Sequence, residues 1–224
     1  MIHSDYKIIS SDINFTPTMD DFDSTPTMSF CTMDFCRERG GPYVNHIMDE
    51  LEKLNEFDFG GKAKITILNQ HLCKGSLSIH ERWHTDWHAH SDNTFNMNKE
   101  RVCIFWFGSR VAPTHFYVGP LPEAAYFNKQ NLKPHEYMNF RDQLVERALQ
   151  KYDEAEIHVS APNTIYEMQY HTMHTPTPAF HDGKRILVKI EESDRPPLNR
   201  ILRTTTVHVP VRDNDYTGPV DEYL

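Results

Sequence analysis

Apolar residues in this chain come in short stretches of strand length, and that feature limits the fold more than any other. Residues 64–69 alternate around Ile65 and Ile67, and residues 76–80 alternate around Leu77 and Ile79. A period of two puts alternate side chains on one face of a strand. Residues 101–108 form a continuous apolar run and read as a buried strand. Further strands are expected at 115–118, 156–160, 164–171, 185–191 and 202–209. Turns such as Gly119-Pro120 and Thr175-Pro176-Thr177-Pro178 separate several of them. Strands and helices do not alternate as in βα units. The expected class is mainly β with a few helices, arranged as a double-sheet barrel or jelly roll.

Two segments depart from the strand pattern. Residues 43–57 carry Val44, Ile47, Met48, Leu51 and Leu54 at helical spacing, and Gly60-Gly61 is the expected stop. Residues 136–152 place Phe140, Leu144, Ala148 and Leu149 on one helical face, which predicts a helical insertion between strands. That helix could pack on a sheet or on a partner chain. Residues 1–42 look irregular: Asp, Thr, Ser and Pro dominate residues 10–27, and Gly40-Gly41-Pro42 closes the segment. They read as an irregular arm, suited to act as a lid. Residues 43–224 then form a single domain, in keeping with 224 residues in all.

Charge and composition narrow the function. There are 23 basic and 32 acidic residues, a formal charge of −9. Nonspecific nucleic-acid binding needs clustered Lys and Arg, so nucleic acid is a disfavoured partner. No apolar stretch approaches membrane-spanning length. Residues 1–11 lack a basic segment followed by an apolar run, so no secretory signal is expected there. Cys31, Cys36, Cys73 and Cys103 form no dense framework and read as reduced thiols, implying a cytoplasmic location. A small-molecule substrate is the expected partner, with homo-oligomerisation left open.

Histidine is the unusual count, at 14 residues. The densest polar cluster runs His80-Glu81-Arg82-Trp83-His84-Thr85-Asp86-Trp87-His88-Ala89-His90. Residues at i and i+2 on an extended chain point to the same side, so His84 and Asp86 could face one metal ion. The bare pattern is weak: chance predicts about two His-x-acid matches in this composition. His3-Ser4-Asp5 and His90-Ser91-Asp92 also fit it. Only His84 follows a strand-like segment and sits between two tryptophans. A third ligand from elsewhere would complete a facial site with open positions, which suits non-haem Fe(II).

The second half lies about ninety residues on. His171 and His174 are followed by a Pro-rich turn and a strand opening with Arg185. Arg185, Leu187 and Lys189 share one face; Ile186, Val188 and Ile190 share the other. An inward Arg185 needs an anion, and its planar fork suits a carboxylate. The same alternation is met if Arg185 and Lys189 face solvent on a half-exposed strand.

These residues together resemble the Fe(II)- and 2-oxoglutarate-dependent dioxygenases, whose signature is His-x-Asp, a distant His and an Arg about ten residues beyond it. Here those positions are His84, Asp86, His174 and Arg185, with eleven residues from His174 to Arg185. Trp83-His84-Thr85-Asp86 looks most like the taurine dioxygenase branch. That branch often carries a second Arg four residues after the first; Lys189 stands there. The resemblance covers residues 64–190 and implies a double-stranded β-helix, the jelly-roll or cupin-like core. It implies Fe(II) held by His84, Asp86 and His174. It also implies 2-oxoglutarate as cosubstrate, its far carboxylate on Arg185, and O2 consumption with release of succinate and CO2 as a C–H bond is oxidised. His171 competes with His174 as distal ligand, and the spacing to Arg185 favours His174. The Arg-x-Ser pairing common in the superfamily becomes Arg185-Ile186-Leu187. Lys189 could meet an anionic substrate group or serve in a structural ion pair. Trp87 could stack on a substrate ring or lie in the core.

Two other classes compete. A cupin-like dioxygenase or isomerase with three or four His ligands could draw on His80, His84, His88 and His90; it would ignore 2-oxoglutarate. A non-enzymatic binding module would treat the histidine cluster as incidental and would take up no stoichiometric iron.

Overall fold

The computed structural model describes residues 1–11, 13, 17–77, 82–86, 101–108, 112–169 and 171–202. In chain order the strands are β1 (Ile2–Ser4), β2 (Tyr6–Ser10), β3 (Thr27–Cys31), β4 (Ala63–Leu72), β5 (Arg101–Gly108) and β6 (Thr114–Leu121). They continue with β7 (Glu156–Val159), β8 (Ile165–Met168), β9 (His174–Pro176), β10 (Gly183–Glu192) and β11 (Arg200–Leu202). The helices are α1 (Met19–Ser24), α2 (Met33–Arg39), α3 (Gly41–Leu54) and α4 (Pro134–Lys151).

Two antiparallel sheets face each other. The larger has the order β11-β3-β4-β10-β5-β8-β2. In the smaller, β6 pairs with β7 along one edge and with β9 and β1 in succession along the other. His84 forms a bridge to His174 of β9 and so extends the smaller sheet by one position. From β4 onward the chain passes between sheets: β4 large, His84 small, β5 large, β6 and β7 small, β8 large, β9 small, β10 large. The last strand of that series, β10, lies between β4 and β5, paired with both. This nesting is a double-stranded β-helix, as expected.

Burial explains each hydrophobic pattern. On β10, Ile186, Val188 and Ile190 pack with Ile65, Ile67, Phe105 and Phe107 against Val44, Ile47, Met48 and Leu51 of α3. The opposite face of the same strand turns inward toward the smaller sheet. From Val102 to Phe107 β5 is apolar because both its faces are covered. Cys103, Phe105 and Phe107 meet the helical layer, whereas Val102 and Ile104 pack with Phe116 and Tyr166 between the sheets. On the far side, α4 sets Phe140, Leu144, Val145 and Ala148 against Tyr117 and Leu121 of β6. The insertion between β6 and β7 therefore packs on the smaller sheet.

Several boundaries differ from expectation. Residues 1–42 are not an irregular arm: β1 joins the smaller sheet, and β2 and β3 join the larger. β2 is an edge strand and only half-buried, so its polar residues hide the period-two signal. The Ser4 hydroxyl donates to the Tyr117 carbonyl at 2.9 Å and accepts from the Met173 N–H at 2.9 Å, fastening β1 to the smaller sheet. α3 ends at Asn55 in the left-handed region (φ 51°), before Gly60-Gly61 is reached. Gly119-Pro120 does not end β6, which runs to Leu121 and pairs there with β1. Gly119 (φ 138°) brings the backbone so near Ala155 that a Cβ would lie 2.9 Å from its Cα. Thr175-Pro176 belongs to β9 rather than to a turn. The expected strands at 76–80 and 202–209 fall largely outside the described residues, as do His80, His88 and His90. Among the described residues, no helix is long and apolar enough to cross a membrane.

Candidate metal and anion site

The inner faces of the two sheets enclose a cavity of about 130 Å3. Its walls include Thr66 and Leu68 of β4, Ile104 of β5, Thr114 of β6, and Arg185, Leu187 and Lys189 of β10. His84, Asp86 and His174 line it from the smaller sheet. The inward face of β10 is thus the Arg185/Leu187/Lys189 face; these residues do not look out to solvent.

His84, Asp86 and His174 each offer a ligand atom within 4.8 Å of the others. The two histidines exchange backbone hydrogen bonds, each N–H to the other's carbonyl at 2.9 Å. That bridge fixes the distance between segments ninety residues apart. Each ring is also oriented. His84 Nδ1 lies 2.6 Å from the Arg82 carbonyl, and His174 Nδ1 lies 3.1 Å from the Thr172 carbonyl. A carbonyl has no proton to give, so both Nδ1 atoms carry hydrogen and both Nε2 atoms keep a free lone pair. This is the arrangement that metal-binding histidines adopt.

The surroundings keep the set ready to bind a cation. Burial holds His84 far below the usual imidazole range, at about 3, with the neighbouring His174 adding to the effect. Burial also lowers His174, against the pull of Asp86. Burial alone would raise Asp86, yet the Lys189 ammonium and the two histidines bring it down to about 2. At neutral pH the set is two neutral imidazoles and one carboxylate, the protonation state a metal ion requires. Asp86 is split in use: Oδ1 lies 3.9 Å from His174 Nε2, while Oδ2 takes the Lys189 ammonium at 3.1 Å. Lys189 also reaches Glu191 at 3.5 Å. The donor set, its neutral rings and its open cavity fit a divalent metal of the iron type.

Arg185 lies at another point of the cavity wall and is 1% exposed. Its Nε donates to Gln70 Oε1 at 2.8 Å, and one terminal nitrogen donates to the Ala112 carbonyl. Both partners are neutral. Among the described residues no carboxylate pairs with it, and burial lowers its pKa to about 10. A buried guanidinium facing a cavity without a counter-ion calls for an anionic ligand.

Comparison with known proteins adds little to this geometry. No family model matches the chain, and neither does any curated protein. Among solved structures, the chain is similar to HygX from Streptomyces hygroscopicus, solved with iron bound. Identity is 9% over 84% of this chain and 81% of that one, with a TM-score of 0.41. EvdO2 from Micromonospora carbonacea var. aurantiaca, complexed with 2-oxoglutarate, is 11% identical over 80% and 71%, with a TM-score of 0.39. A Pseudomonas putida prolyl-4-hydroxylase is 13% identical over 83% and 98%, with a TM-score of 0.38. Likeness at that level assigns no residue, reaction or substrate.

The fold brings His84, Asp86, His174, Arg185 and Lys189, each singled out in the sequence, to one cavity. His171 lies outside the three-ligand cluster. Trp87 lies outside the described residues. Sequence reasoning missed Gln70, the Ala112 carbonyl, and the group around Asp142. Arg82 reaches Asp142 Oδ2 at 2.7 Å, and the Trp83 N–H donates to Asp142 Oδ1 at 3.0 Å. Burial raises Asp142 to about 6 in spite of these donors. No local pattern marks such a partner sixty residues away; only the docking of α4 on the smaller sheet brings it there.

Proposed function

We propose that the protein is a non-haem Fe(II)- and 2-oxoglutarate-dependent dioxygenase acting on a small molecule. One observation carries the reading: three convergent His/Asp/His ligands share a cavity with a buried arginine that pairs with no carboxylate among the described residues. His84, Asp86 and His174 would hold the iron. When bound, the iron and its cosubstrate supply the oxidising chemistry, consuming O2 and releasing succinate and CO2 as a substrate C–H bond is oxidised.

The protein's own part follows from its contacts. His84 and His174 present Nε2 because backbone carbonyls hold Nδ1. Asp86 presents Oδ1 because Lys189 occupies Oδ2. Arg185 would pair with the far carboxylate of the cosubstrate, supplying the anionic partner that no described residue provides. Leu68, Ile104 and Leu187 form an apolar part of the cavity wall that would keep water from a bound cosubstrate. Lys189 is read as the counter-ion of Asp86 rather than as a contact for substrate.

The test is anaerobic. Protein loaded with Fe(II) is given 2-oxoglutarate, and the weak visible charge-transfer absorption is recorded for the native chain and for Arg185→Ala. A band that fades in the variant supports the reading. Iron uptake with no band would sink it and favour a cupin-like enzyme that does not use 2-oxoglutarate. Absence of iron uptake would leave a non-enzymatic module.

A further inference from the structure

The helix inserted between β6 and β7 grips the chain immediately before His84. Three residues of α4 make the contacts. Asn139 and Asp142 both accept from the Arg82 guanidinium, the latter at 2.7 Å. Asp142 also accepts from the Trp83 N–H at 3.0 Å. Arg141 donates to the Trp83 carbonyl at 3.2 Å, with its guanidinium stacked 4.7 Å over the Tyr137 ring. The Arg82 and Asp142 side chains are only 15% and 19% exposed, so water competes weakly for this pair. The Trp83 ring stands edge-on to Tyr117, within the cluster that α4 builds on the smaller sheet.

These contacts end on the metal site. The Arg82 carbonyl is the acceptor that orients His84 through Nδ1, at 2.6 Å. The side chain of Arg82 and the amide that follows its carbonyl are both held by Asp142. The orientation of the His84 ring therefore depends on a helix that supplies no residue to the ligand set. We infer that α4 is a positioning element for the metal site, with Asp142 and Arg82 as positioning residues that act through the Arg82 carbonyl on His84. The inference rests on the proposed metal-binding role of His84. Its logic is general: partners that orient a ligating imidazole are worth about 10- to 100-fold in metal affinity.

The test is a Co(II) titration of the full chain, read by absorbance or calorimetry, in a double-mutant cycle with His84. Asp142→Ala is expected to raise the Co(II) Kd by about 10- to 100-fold. In a His84→Ala background, titrated to millimolar metal, Asp142→Ala should change the Kd by less than about two-fold, because the ligand it positions is gone. Arg82→Gln spares the Asp142 contact to the Trp83 amide, and it serves if Asp142→Ala does not fold; about a ten-fold rise is expected. Equal losses in both backgrounds would mean general loosening and would overturn the inference. So would an Asp142→Ala protein, or failing that an Arg82→Gln protein, that binds Co(II) like the native chain. A native chain that takes up no Co(II) would instead overturn the metal-site reading beneath it.

Discussion

Replacing Arg185 with Met should separate folding from ligand binding, because the native residue carries a buried charge whose partners among the described residues are neutral. Its pKa, lowered by burial to about 10, corresponds to a desolvation penalty of about 3 kcal/mol for the charged form. Met of similar length removes that penalty. It also removes the hydrogen bonds to Gln70 and the Ala112 carbonyl, each worth about 1–3 kcal/mol when a buried partner is left unmatched. The two effects oppose each other. The variant holding Co(II) without cosubstrate should lie within about 2 kcal/mol of the native chain in urea unfolding, well short of the roughly 3–5 kcal/mol lost when a buried ion pair is broken. The response to ligand should change fully. At 2-oxoglutarate near 100 times its Kd, the native protein gains about 2.7 kcal/mol, or about 8 °C in Tm for a chain of this size. Arg185→Met should gain almost nothing. An undiminished thermal shift in the variant would refute the role given to Arg185. A loss beyond about 5 kcal/mol without ligand would refute the claim that its charge stands uncompensated.

Other consequences are more local. Asp86→Ala should abolish turnover and stoichiometric Fe(II) uptake, measured by anaerobic dialysis and iron analysis; full activity would exclude the proposed ligand set. Lys189→Met leaves the Asp86 carboxylate without its ammonium, so the metal-free variant should lose about 2 kcal/mol in urea unfolding, and equal midpoints would contradict the pairing. Acid should destabilise the metal-free protein through His84. Its folded pKa of about 3 lies below the ordinary 6.5, so its contribution is full above pH 6.5 and is lost as pH falls toward 3. Between pH 6.5 and pH 5 His84 alone should remove about 2 kcal/mol, with His174 acting in the same direction. A flat stability profile over that range would show that the two rings are not buried in neutral form. Leu51→Ala in α3 should cost about 2–5 kcal/mol while leaving Co(II) affinity unchanged, because the outer face of the larger sheet does not meet the cavity.

The local sequence determined a good deal. Period-two alternation on β10 separated Ile186, Val188 and Ile190 from Arg185, Leu187 and Lys189, since strand geometry leaves no other division. Helical spacing placed α3 and α4, and the unbroken run of β5 announced a strand covered on both sides. His84 with Asp86, and Arg185 with Lys189, were legible because each pair lies within one short segment whose geometry is local; His174 was singled out only by its spacing to Arg185. What the sequence withheld depends on contacts between distant segments. β1 and β2 are short and only partly buried, and they exist because β6 and β8 were there to accept them. β9 carries a Thr-Pro pair that reads as a turn but is held as a strand by β6 and His84. Whether Arg185 and Lys189 faced solvent or cavity was settled only when the smaller sheet closed over the larger. The grip of Asp142 on the segment before His84 has no signature at either end. Hydrogen bonds across sixty residues are set by how a helix docks, and docking is decided by the packed core rather than by any local run of residues.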